Sequence, residues 1–490
     1  MKNCEMKKKS KRNKEQRGIT LIVLVITIVV LLILAGVSIT LLTGDNGILT
    51  QAKLAKEKTE EAKIKEEQQL QSLLNKITSE VPSEEGYNVS KNVNSPKVTQ
   101  GMIPVKHNGT DWVVCSKEDP EWYSYDNTKK WANIMLSDGK YKEGKVVEGQ
   151  IVKEEELGSM YVWIPRYAYR IVGEKNIEVN FLKGNTNQDK DGKEYTEDER
   201  TDTKTTPIVH PAFNLGGGQL SRMWVAKFEA SGTNKDGNAV GNGNSSSNSQ
   251  QYAPDETTIA RSLPNKISWR HITVGESQKR SMDIAGSQKE KYGLNYANSH
   301  LIKNNEWGAV AYLSYSKYGV NKKIIEKNAN STYHTGGTEI EREIYMNNQR
   351  QSTTYNANGV YDFNGGAWER TASYVNNRNG SLGSTGGRNE GDLYGATEQE
   401  QSTSTKYKTV YSSINNQQKD YETSGNKNKG DAIYETSYTH SNSVGSWLYT
   451  LANFPTEQYP FFYRGGYYSS NDSIFTFTYH DGYLNGAASF

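Results

Sequence analysis

The stretch YVWIPRYAYRIV, residues 161–172, places bulky apolar side chains at alternating positions along a short run. Such alternation is typical of a β-strand that is buried in a protein core. The stretch RMWVAKFEAS, residues 222–231, has the same character and predicts a second strand. The composition agrees, because 32 Tyr and 44 Gly accompany a hydrophobic fraction of only 34%. We therefore expect a region that is rich in strands and polar loops.

Length, charge and cysteine content narrow the classes of protein that fit. A chain of 490 residues has room for two or three domains. The formal net charge of +2 indicates neither a nucleic-acid partner nor an acidic ligand. The two cysteines, Cys4 and Cys115, are too few for a disulfide framework. Cys115 has no identifiable histidine partner in the sequence, which is more typical of a small core residue than of a catalytic nucleophile.

The N-terminal residues have the charge pattern of a membrane anchor. Residues 1–18 hold eight Lys or Arg against two Glu, and ITLIVLVITIVVLLILAGVSITLL, residues 19–42, carries no charge. A helix of that length spans the apolar core of a bilayer, which is about 30 Å thick. The basic flank predicts a cytoplasmic N-terminus and an extracellular C-terminal domain. We therefore expect a single-pass protein of the bacterial cell membrane, with the membrane as a partner.

The junction KEQRGITLIVLVITIVV resembles the N-terminus of type IV pilins and pseudopilins, in which a prepilin peptidase cuts after a glycine. This resemblance implies cleavage between Gly18 and Ile19. It also implies association with other pilin-like subunits and a location on a pilus. Val23 occupies the fifth mature position, where the family usually has Glu. A minor subunit and an uncleaved single-pass anchor therefore remain as alternatives.

Composition divides the chain into four segments. Residues 1–18 form the basic leader, and residues 19–78 form the pilin-like transmembrane and extended helix, whose later part is rich in good helix formers. Residues 79–100 carry Pro, Gly, Ser and Asn without periodicity and predict a linker. Residues 101–490 form the main domain. Its polar, flexible insertions cover residues 232–251, 375–407 and 412–431.

Three stretches of the main domain follow an order that resembles one known family. They are IKNNEWGAVAYLSYSKYG at 302–319, GVYDFNGGAWERTASY at 359–374 and FFYRGGYYSS at 461–470. The first also predicts an amphipathic helix from the spacing of its apolar residues. The order is similar to that of the C-type-lectin-like domain of formylglycine-generating enzymes and sulfatase-modifying factors. The matching residues are Glu306, Trp307, Trp368, Glu369, Arg464, Gly465 and Gly466.

Together, these resemblances imply an α+β fold class. A long N-terminal membrane-anchoring helix would be followed by a C-type-lectin-like domain with long polar insertions. The formylglycine-generating members use paired cysteines late in the domain, and this sequence has none there. We therefore predict that the protein is not an enzyme. An enzyme of the sulfatase-modifying-factor type with altered chemistry is an alternative.

One acidic stretch approximates the ligand spacing of a calcium-binding loop. In NQDKDGKEYTED the approximate ligand positions are Asn187, Asp189, Asp191, Gly192 and Asp198. The first ligand is Asn, the twelfth is Asp rather than Glu, and no helical pattern flanks the loop. The seven histidines show no metal-ligand spacing. We predict no cofactor and a solvated acidic turn, with calcium as the alternative.

The last residues of the sequence have an unusual amino-acid composition. Between Tyr467 and Ser489 there is no Lys, Glu, Gln, Met or Trp, and Tyr, Ser, Asn, Asp, Thr and Gly dominate. Antibody paratopes use a similar set, in which rigid aromatics supply contact area and small polar groups supply hydrogen bonds. The segment resembles that of the variable proteins of diversity-generating retroelements. That resemblance implies rewriting of adenines in AAC codons, which yields Tyr, Ser and Asn but never those five missing types.

These observations predict a ligand-binding segment at residues 467–488. The predicted contact residues are Tyr467, Tyr468, Ser470, Asn471, Asp472, Thr478, Tyr479, His480, Asp481, Tyr483, Leu484 and Asn485. The predicted scaffold residues are Ile474, Phe475, Phe477 and Phe490. A segment of the same composition without diversification would present a fixed binding face, and a purely structural strand and loop is a further alternative.

The function predicted from the sequence is that of a surface-displayed, membrane- or pilus-anchored binding or adhesion protein. It would present a Tyr/Ser/Asn-rich face, diversified or fixed, to a protein or glycan ligand. The alternative is a pseudopilin-like structural component of a type IV pilus or type II secretion machine, with the main domain as a spacer.

Overall fold

The structure is a computed structural model, and it divides into two compact units, Met1–Gln71 and Ser72–Phe490. The residues that it describes are 21–43, scattered positions between 51 and 66, and 86–490 with internal gaps. The gaps cover residues 235–238, 241–256, 338–344, 377–405, 413–427, 441–442, 449, 456–458, 471–472 and 481–487. The predicted cleavage residues Gly18 and Ile19 lie outside the described part.

The first unit contains helix α1, Leu21–Thr43, and helical positions between 51 and 66. Side chains of α1 are described over residues 23–35 and are exposed. Among the described residues, no helix combines the length and apolarity needed to span a membrane. The predicted transmembrane anchor and single-pass localisation are therefore corrected.

The fold class predicted from the sequence is also corrected. The described part of the second unit is mostly β-sheet, with only two α-helices, α2 at Val274–Asp283 and α3 at Asn304–Ser314. Short runs rich in Val, Ile, Tyr and Thr favour strands over helices, which explains the balance. Short 3-10 helices lie at Glu154–Glu156, Pro211–Phe213 and Lys289–Tyr292, and a longer one, kinked at Asn348, lies at Tyr345–Gln351.

The strands are short and numerous. In chain order they are β1 Tyr87–Asn88, β2 Val93–Asn94, β3 Met102–His107, β4 Trp112–Val114, β5 Asn133–Leu136, β6 Ile151–Val152, β7 Met160–Pro165, β8 Tyr167–Gly173, β9 Asn176–Phe181, β10 Ile208–Val209, β11 Asn214–Leu215, β12 Gly218–Gln219, β13 Arg222–Ala226, β14 Ala230–Thr233, β15 Ala239–Val240, β16 Ile259–Ser262, β17 Trp368–Asn376, β18 Thr409–Ser412, β19 Ser437–His440, β20 Ser443–Ser446, β21 Thr450–Ala452, β22 Phe461–Arg464, β23 Phe477–His480 and β24 Ala488–Ser489.

Two larger sheets organise the second unit. An antiparallel six-stranded sheet has the order β13-β7-β5-β3-β4-β6. An eight-stranded mixed sheet has the order β18-β17-β22-β23-β21-β20-β19, with β24 also pairing β17. Smaller sheets join β10-β8-β9 and β15-β14-β16, and two hairpins join β1 to β2 and β11 to β12. The strands nearest the C-terminus therefore share a sheet with β17.

The stretch at residues 161–172 forms two strands, β7 and β8, which belong to different sheets. The break lies at Arg166, whose side chain is fully buried. Its Nε donates to the Thr186 carbonyl at 2.9 Å, and an Nη atom donates to the Leu220 carbonyl at 3.1 Å. Burial lowers the pKa of Arg166 to about 10. The strand prediction is therefore confirmed, but a buried guanidinium divides it.

Helix α3 confirms the helix predicted in residues 302–319, but it is not amphipathic. All of its residues except Asn305 are buried, because β9, β17 and the 3-10 turn at Pro211–Phe213 surround it. The Trp307 ring stacks on Phe363 with centroids 4.0 Å apart, and its Nε1 donates to the Ile474 carbonyl at 2.8 Å. The helix thus connects the core to the C-terminal strands.

Candidate binding face

Residues 461–490, here called the tail, begin with a two-stranded antiparallel ladder. Strand β22 pairs with β23, with Tyr463 opposite Thr478 and Arg464 opposite Phe477. Strand β22 also pairs with β17. Strand β22 is thus hydrogen-bonded to a neighbouring strand along each of its edges. The segment between β22 and β23 therefore begins and ends within the sheet.

A glycine pair turns the chain out of β22. Gly465 and Gly466 have φ of 79° and 82°, a conformation that favours glycine. A Cβ on Gly465 would lie 3.2 Å from the Phe363 carbonyl oxygen and 3.2 Å from the Trp307 ring. The turn is tied to the core by the Gly365 amide, which donates to the Gly465 carbonyl at 3.1 Å. This geometry fixes where the next residue, Tyr467, begins.

Arg464 lies beneath this turn and is fully buried. Its Nη atoms donate to the carbonyls of Asp431 and Ala432, each at 3.0 Å. Its guanidinium also lies 5.3 Å from the Trp307 ring centroid and donates to Asn304 Oδ1 at 3.3 Å. One cation therefore joins β22, helix α3 and the segment at 431–432. The structure brings Arg464 together with Trp307, another residue of the predicted motif.

Glu306, another predicted motif residue, has a local structural role. Its carboxylate accepts from the Lys303 backbone N–H at 2.9 Å, at the start of α3, and lies 2.9 Å from His300 Nε2. Burial by itself would raise the pKa of Glu306, but the charges of His300 and Lys303 outweigh it and lower the pKa to about 2. Glu306 is thus an ionised helix cap in the interior.

Stacked aromatic rings support Tyr467 and Tyr468, the first outward residues of the tail. The Trp368 ring is nearly parallel to those of Tyr463 and Tyr467, with centroids 5.8 and 6.0 Å away. The Tyr468 ring meets Tyr467 edge-on at 5.5 Å and meets Tyr333 edge-on at 5.1 Å. Tyr467 and Tyr468 are half-buried. They therefore combine exposed edges with an ordered backing.

His480 is the predicted contact residue that the structure places inside. Its ring stacks on Tyr463 at 3.9 Å, and its Nδ1 lies 3.0 Å from Arg370 Nη1. Its Nε2 lies 3.1 Å from the Phe462 carbonyl. Burial first, and then the Arg370 charge, lower the pKa of His480 well below its ordinary value. The side chain is therefore part of the backing rather than of the outer face.

The outer face of the tail is small, polar and aromatic. Tyr479 is 39% exposed and its ring lies nearly parallel to Tyr459 at 5.2 Å. Ser469 is exposed, and it is a residue that the sequence-based list omitted although it has the same composition signal. Tyr479 follows Thr478 in β23, so its side chain points to the opposite face of the sheet. The outward described residues on the side of Trp368 and Tyr463, here called the binding face, are Tyr467, Tyr468, Ser469, Ser470 and Thr478.

The remaining predicted residues fall into two groups. The scaffold residues Ile474, Phe475 and Phe477 are fully buried. Six predicted contact residues lie outside the described part of the chain, namely Asn471, Asp472, Asp481, Tyr483, Leu484 and Asn485. The face is therefore defined here only by the residues that the structure places.

The last three residues are bound to the core. Strand β24 lies parallel to β17, with Ala488 opposite Trp368. The Phe490 carbonyl accepts from the Ala230 amide at 2.9 Å, and its ring lies 5.6 Å from Trp269. Both ends of the tail are thus fixed to the rigid part of the domain.

We expect Phe490→Ala to lower the free energy of unfolding by about 2 kcal/mol, because it uncovers the buried Trp269 ring and removes partly buried aromatic area. Urea denaturation measures this change. Val172→Ala, at a side chain that is half exposed, serves as the control and should change the stability by less than about 0.5 kcal/mol. An effect of Phe490→Ala as small as the control's would contradict the anchoring role.

In the acidic loop that was considered as an alternative calcium site, the side-chain oxygens accept hydrogen bonds from other groups of the protein. Asn187 Oδ1 accepts from Arg166 at 2.6 Å, and Asp189 accepts from two backbone amides and from the Tyr195 hydroxyl. Asp198 pairs with Arg200. Within the described ranges, no group of three or more His, Cys, Asp or Glu is arranged to hold a metal ion.

Cys115 lies in the core, where burial foremost raises the pKa of its thiol to about 12. A thiol that stays protonated is a poor nucleophile.

No family model matches the sequence, and no curated protein shows significant similarity to it.

Proposed function

We propose that this protein binds a protein or glycan ligand through the binding face, without chemical turnover. The observation that supports the proposal is the division of the tail into two classes of side chain. Ile474, Phe475 and Phe477 are fully buried, whereas Tyr, Ser and Thr side chains point outward. The outward Tyr, Ser and Thr side chains are therefore available for contact with a ligand.

The physical properties of the face suit recognition. Tyr side chains supply large contact areas at a low cost in conformational entropy, and Ser and Thr hydroxyls adapt their hydrogen bonds to the ligand. The backing of Trp368 and Tyr463 holds Tyr467 in place before binding. A preorganised face loses less entropy when the ligand arrives, which favours affinity.

We also propose that the face is diversified, in keeping with the resemblance to the variable proteins of diversity-generating retroelements. Each outward residue, Tyr, Ser or Thr, belongs to the set that AAC codons yield when their adenines are rewritten. Sequencing the coding region across sister lineages of one strain tests this proposal. Substitutions concentrated in the codons of 467–488 would support it, and a tail as invariant as the remaining domain would leave a fixed binding face.

Binding itself is tested by truncating the aromatic part of the face. We expect the full chain, labelled and applied to arrays of glycans and of purified extracellular proteins, to give a specific signal. The double variant Tyr467→Ala, Tyr468→Ala should lower that signal by at least about tenfold, because buried Tyr contacts commonly dominate binding energy. The measurement is the apparent Kd on the recognised spot.

Tyr296→Ala provides the matched control, because Tyr296 is a half-buried tyrosine outside the tail. It should bind as the unchanged protein does. Thermal unfolding of each variant separates loss of contact from loss of fold. Equal binding by the double variant and the unchanged chain would contradict the proposal.

A further inference from the structure

Three carboxyl side chains lie buried behind the binding face. Glu229 lies between β13 and β14, Asp362 precedes β17, and Glu369 is the second residue of β17. They are exposed by only 3%, 1% and 7%. We call Glu229, Asp362 and Glu369 the carboxyl cluster. Burial of several ionised carboxylates together is costly unless each is paired or hydrogen-bonded.

Hydrogen bonding in the cluster is incomplete. Glu229 accepts from the Ala367 amide at 2.8 Å and from the Ser268 hydroxyl. Asp362 Oδ1 accepts from the Gly336 amide at 2.7 Å and from Asn328 at 2.9 Å. In contrast, the other oxygen of Asp362, Oδ2, has no donor in hydrogen-bond geometry among the described residues, although the Glu229 amide is near enough to favour the ionised form. A buried carboxylate oxygen without a donor is an atom that a proton would satisfy.

Two further acceptors show the same deficit. Glu369 Oε1 has no donor in the described part of the chain, and neither has Oδ1 of Asn364, two residues after Asp362. Asn364 is itself almost fully buried. An amide oxygen cannot take up a proton, whereas a carboxylate oxygen such as Glu369 Oε1 can. The shortage is therefore one of donors, which protonation of the cluster would reduce.

Two arginines in the described part of the chain interact with the cluster. Arg464 is the cross-strand neighbour of Glu369, but its donors are directed to carbonyls and to Asn304. Arg270 interacts electrostatically with Glu229 while its guanidinium lies 3.9 Å from the Tyr333 ring. The Tyr361 phenol also lies near Asp362. Among the described residues named here, two arginines thus interact with three carboxyl groups.

The pKa values of all three carboxyl groups are raised. Burial foremost, and then repulsion by the neighbouring carboxyls, raise the pKa values of Glu229 and Glu369 well above their ordinary range. Burial raises the pKa of Asp362 to about 6, although the amides of Gly336 and Glu229 and the Asn328 side chain oppose the rise.

The cluster is connected to the binding face through the backbone. Glu229 Oε1 lies against Gly366, where a Cβ would approach it to 2.5 Å. The Gly366 carbonyl accepts from the Tyr468 amide at 3.0 Å. Glu369 directly follows Trp368, the ring that backs Tyr467. A change of charge in the cluster therefore acts on the residues that position both tyrosines.

We propose that the carboxyl cluster retains at least one proton near neutral pH and that this proton holds the binding face in its ordered form. Loss of the proton as the pH rises would loosen the Gly366–Tyr468 contact and weaken ligand binding. The part that concerns binding rests on the proposed function. The part that concerns the proton is tested on the full chain without any ligand.

The sign of the pH dependence follows from linkage. A carboxyl whose pKa is higher in the folded than in the unfolded protein gives stability that is complete below the unfolded value, near pH 4, and is lost as the pH rises through the folded value. For Asp362 that window runs from about pH 4 to about 6, and for Glu229 and Glu369 it extends further upward. Each retained proton makes the unfolding equilibrium constant rise about tenfold per pH unit within its window.

Urea denaturation of the full chain between about pH 5 and pH 8 measures this slope. We expect Glu229→Gln and Glu369→Gln, which replace an acid by a neutral isostere, each to reduce the slope. Glu121→Gln, at an exposed acid in the same domain, should leave it unchanged. Equal slopes in the unchanged protein and in both cluster variants would overturn the proposal.

Two measurements on the unchanged protein keep the test valid if the variants do not fold. Infrared spectroscopy at pH 7 should show the C=O stretch of a protonated carboxylic acid, and its absence would overturn the proposal. Hydrogen exchange should show that the Tyr468 amide loses protection as the pH rises, beyond the intrinsic increase in exchange rate. An amide with constant protection would overturn the link to the face.

The binding arm separates the two proposals. If the arrays reveal a ligand, its Kd should rise at least about fivefold from pH 6 to pH 8 in the unchanged protein and less in Glu229→Gln. A Kd independent of pH would overturn the link between proton and binding while leaving the proposed function intact. If the arrays reveal no ligand but the infrared band and the stability slope are present, the proposed function fails and the protonated cluster stands.

Discussion

Replacing Arg464 with methionine is expected to lower the free energy of unfolding by about 4 kcal/mol. The side chain is fully buried and donates to the carbonyls of Asp431 and Ala432 and to Asn304. Methionine fills a similar volume but leaves these acceptors without their donors. It also removes a positive charge that offsets the Glu369 carboxyl. Urea denaturation monitored by circular dichroism measures the loss.

Two further substitutions sharpen this test. Arg464→Lys keeps the charge but not the planar set of donors, so we expect an intermediate loss. Arg200→Met removes an arginine whose side chain is 91% exposed and should change the stability by less than about 0.5 kcal/mol. If Arg464→Met were as mild as Arg200→Met, Arg464 would not join α3 to the tail as described.

Gly308→Ala is expected to lower the free energy of unfolding by about 3 kcal/mol, although alanine is the better helix former by about 1 kcal/mol. Gly308 lies in α3, where the backbone of another segment approaches closely. A Cβ at this position would lie 1.8 Å from the Gly430 carbonyl oxygen and 2.8 Å from the Asp431 carbonyl carbon. Backbone atoms on both sides must move to accommodate it.

The matched control is Gly173→Ala, because a Cβ there would meet no atom within 4 Å. That substitution should be neutral or stabilise the protein by a few tenths of a kcal/mol. Differential scanning calorimetry of both variants measures the contrast. Equal melting temperatures for the two variants would show that the contact between α3 and residues 430–431 is not close.

The strands and the helix of the main domain could be predicted in part from local patterns. Residues 161–172 are strand-forming, as their alternation indicated. The division at Arg166 could not be predicted, because its acceptors Thr186 and Leu220 lie far along the chain. Likewise, periodicity located α3, but it could not show that strands cover the helix on every side.

At the N-terminus, the sequence predicted the position of a helix correctly but not its role. An uncharged run at residues 19–42 predicted a membrane anchor, and the helix at Leu21–Thr43 coincides with that run. The described part of the chain nevertheless contains no helix that meets the requirements for spanning a membrane. Composition thus located the helix, whereas the function of anchor inferred from it was corrected.

By itself, the sequence determined which side chains are available to the tail. Its restriction to Tyr, Ser, Asn, Thr and similar types is a property of composition and needs no coordinates. Only the tertiary structure decided which of these side chains face outward. Thr478 and His480 lie on the same side of one strand, yet His480 is buried beside Arg370 and Thr478 is partly exposed. Burial depends on partners distant in sequence, and a local pattern cannot identify them.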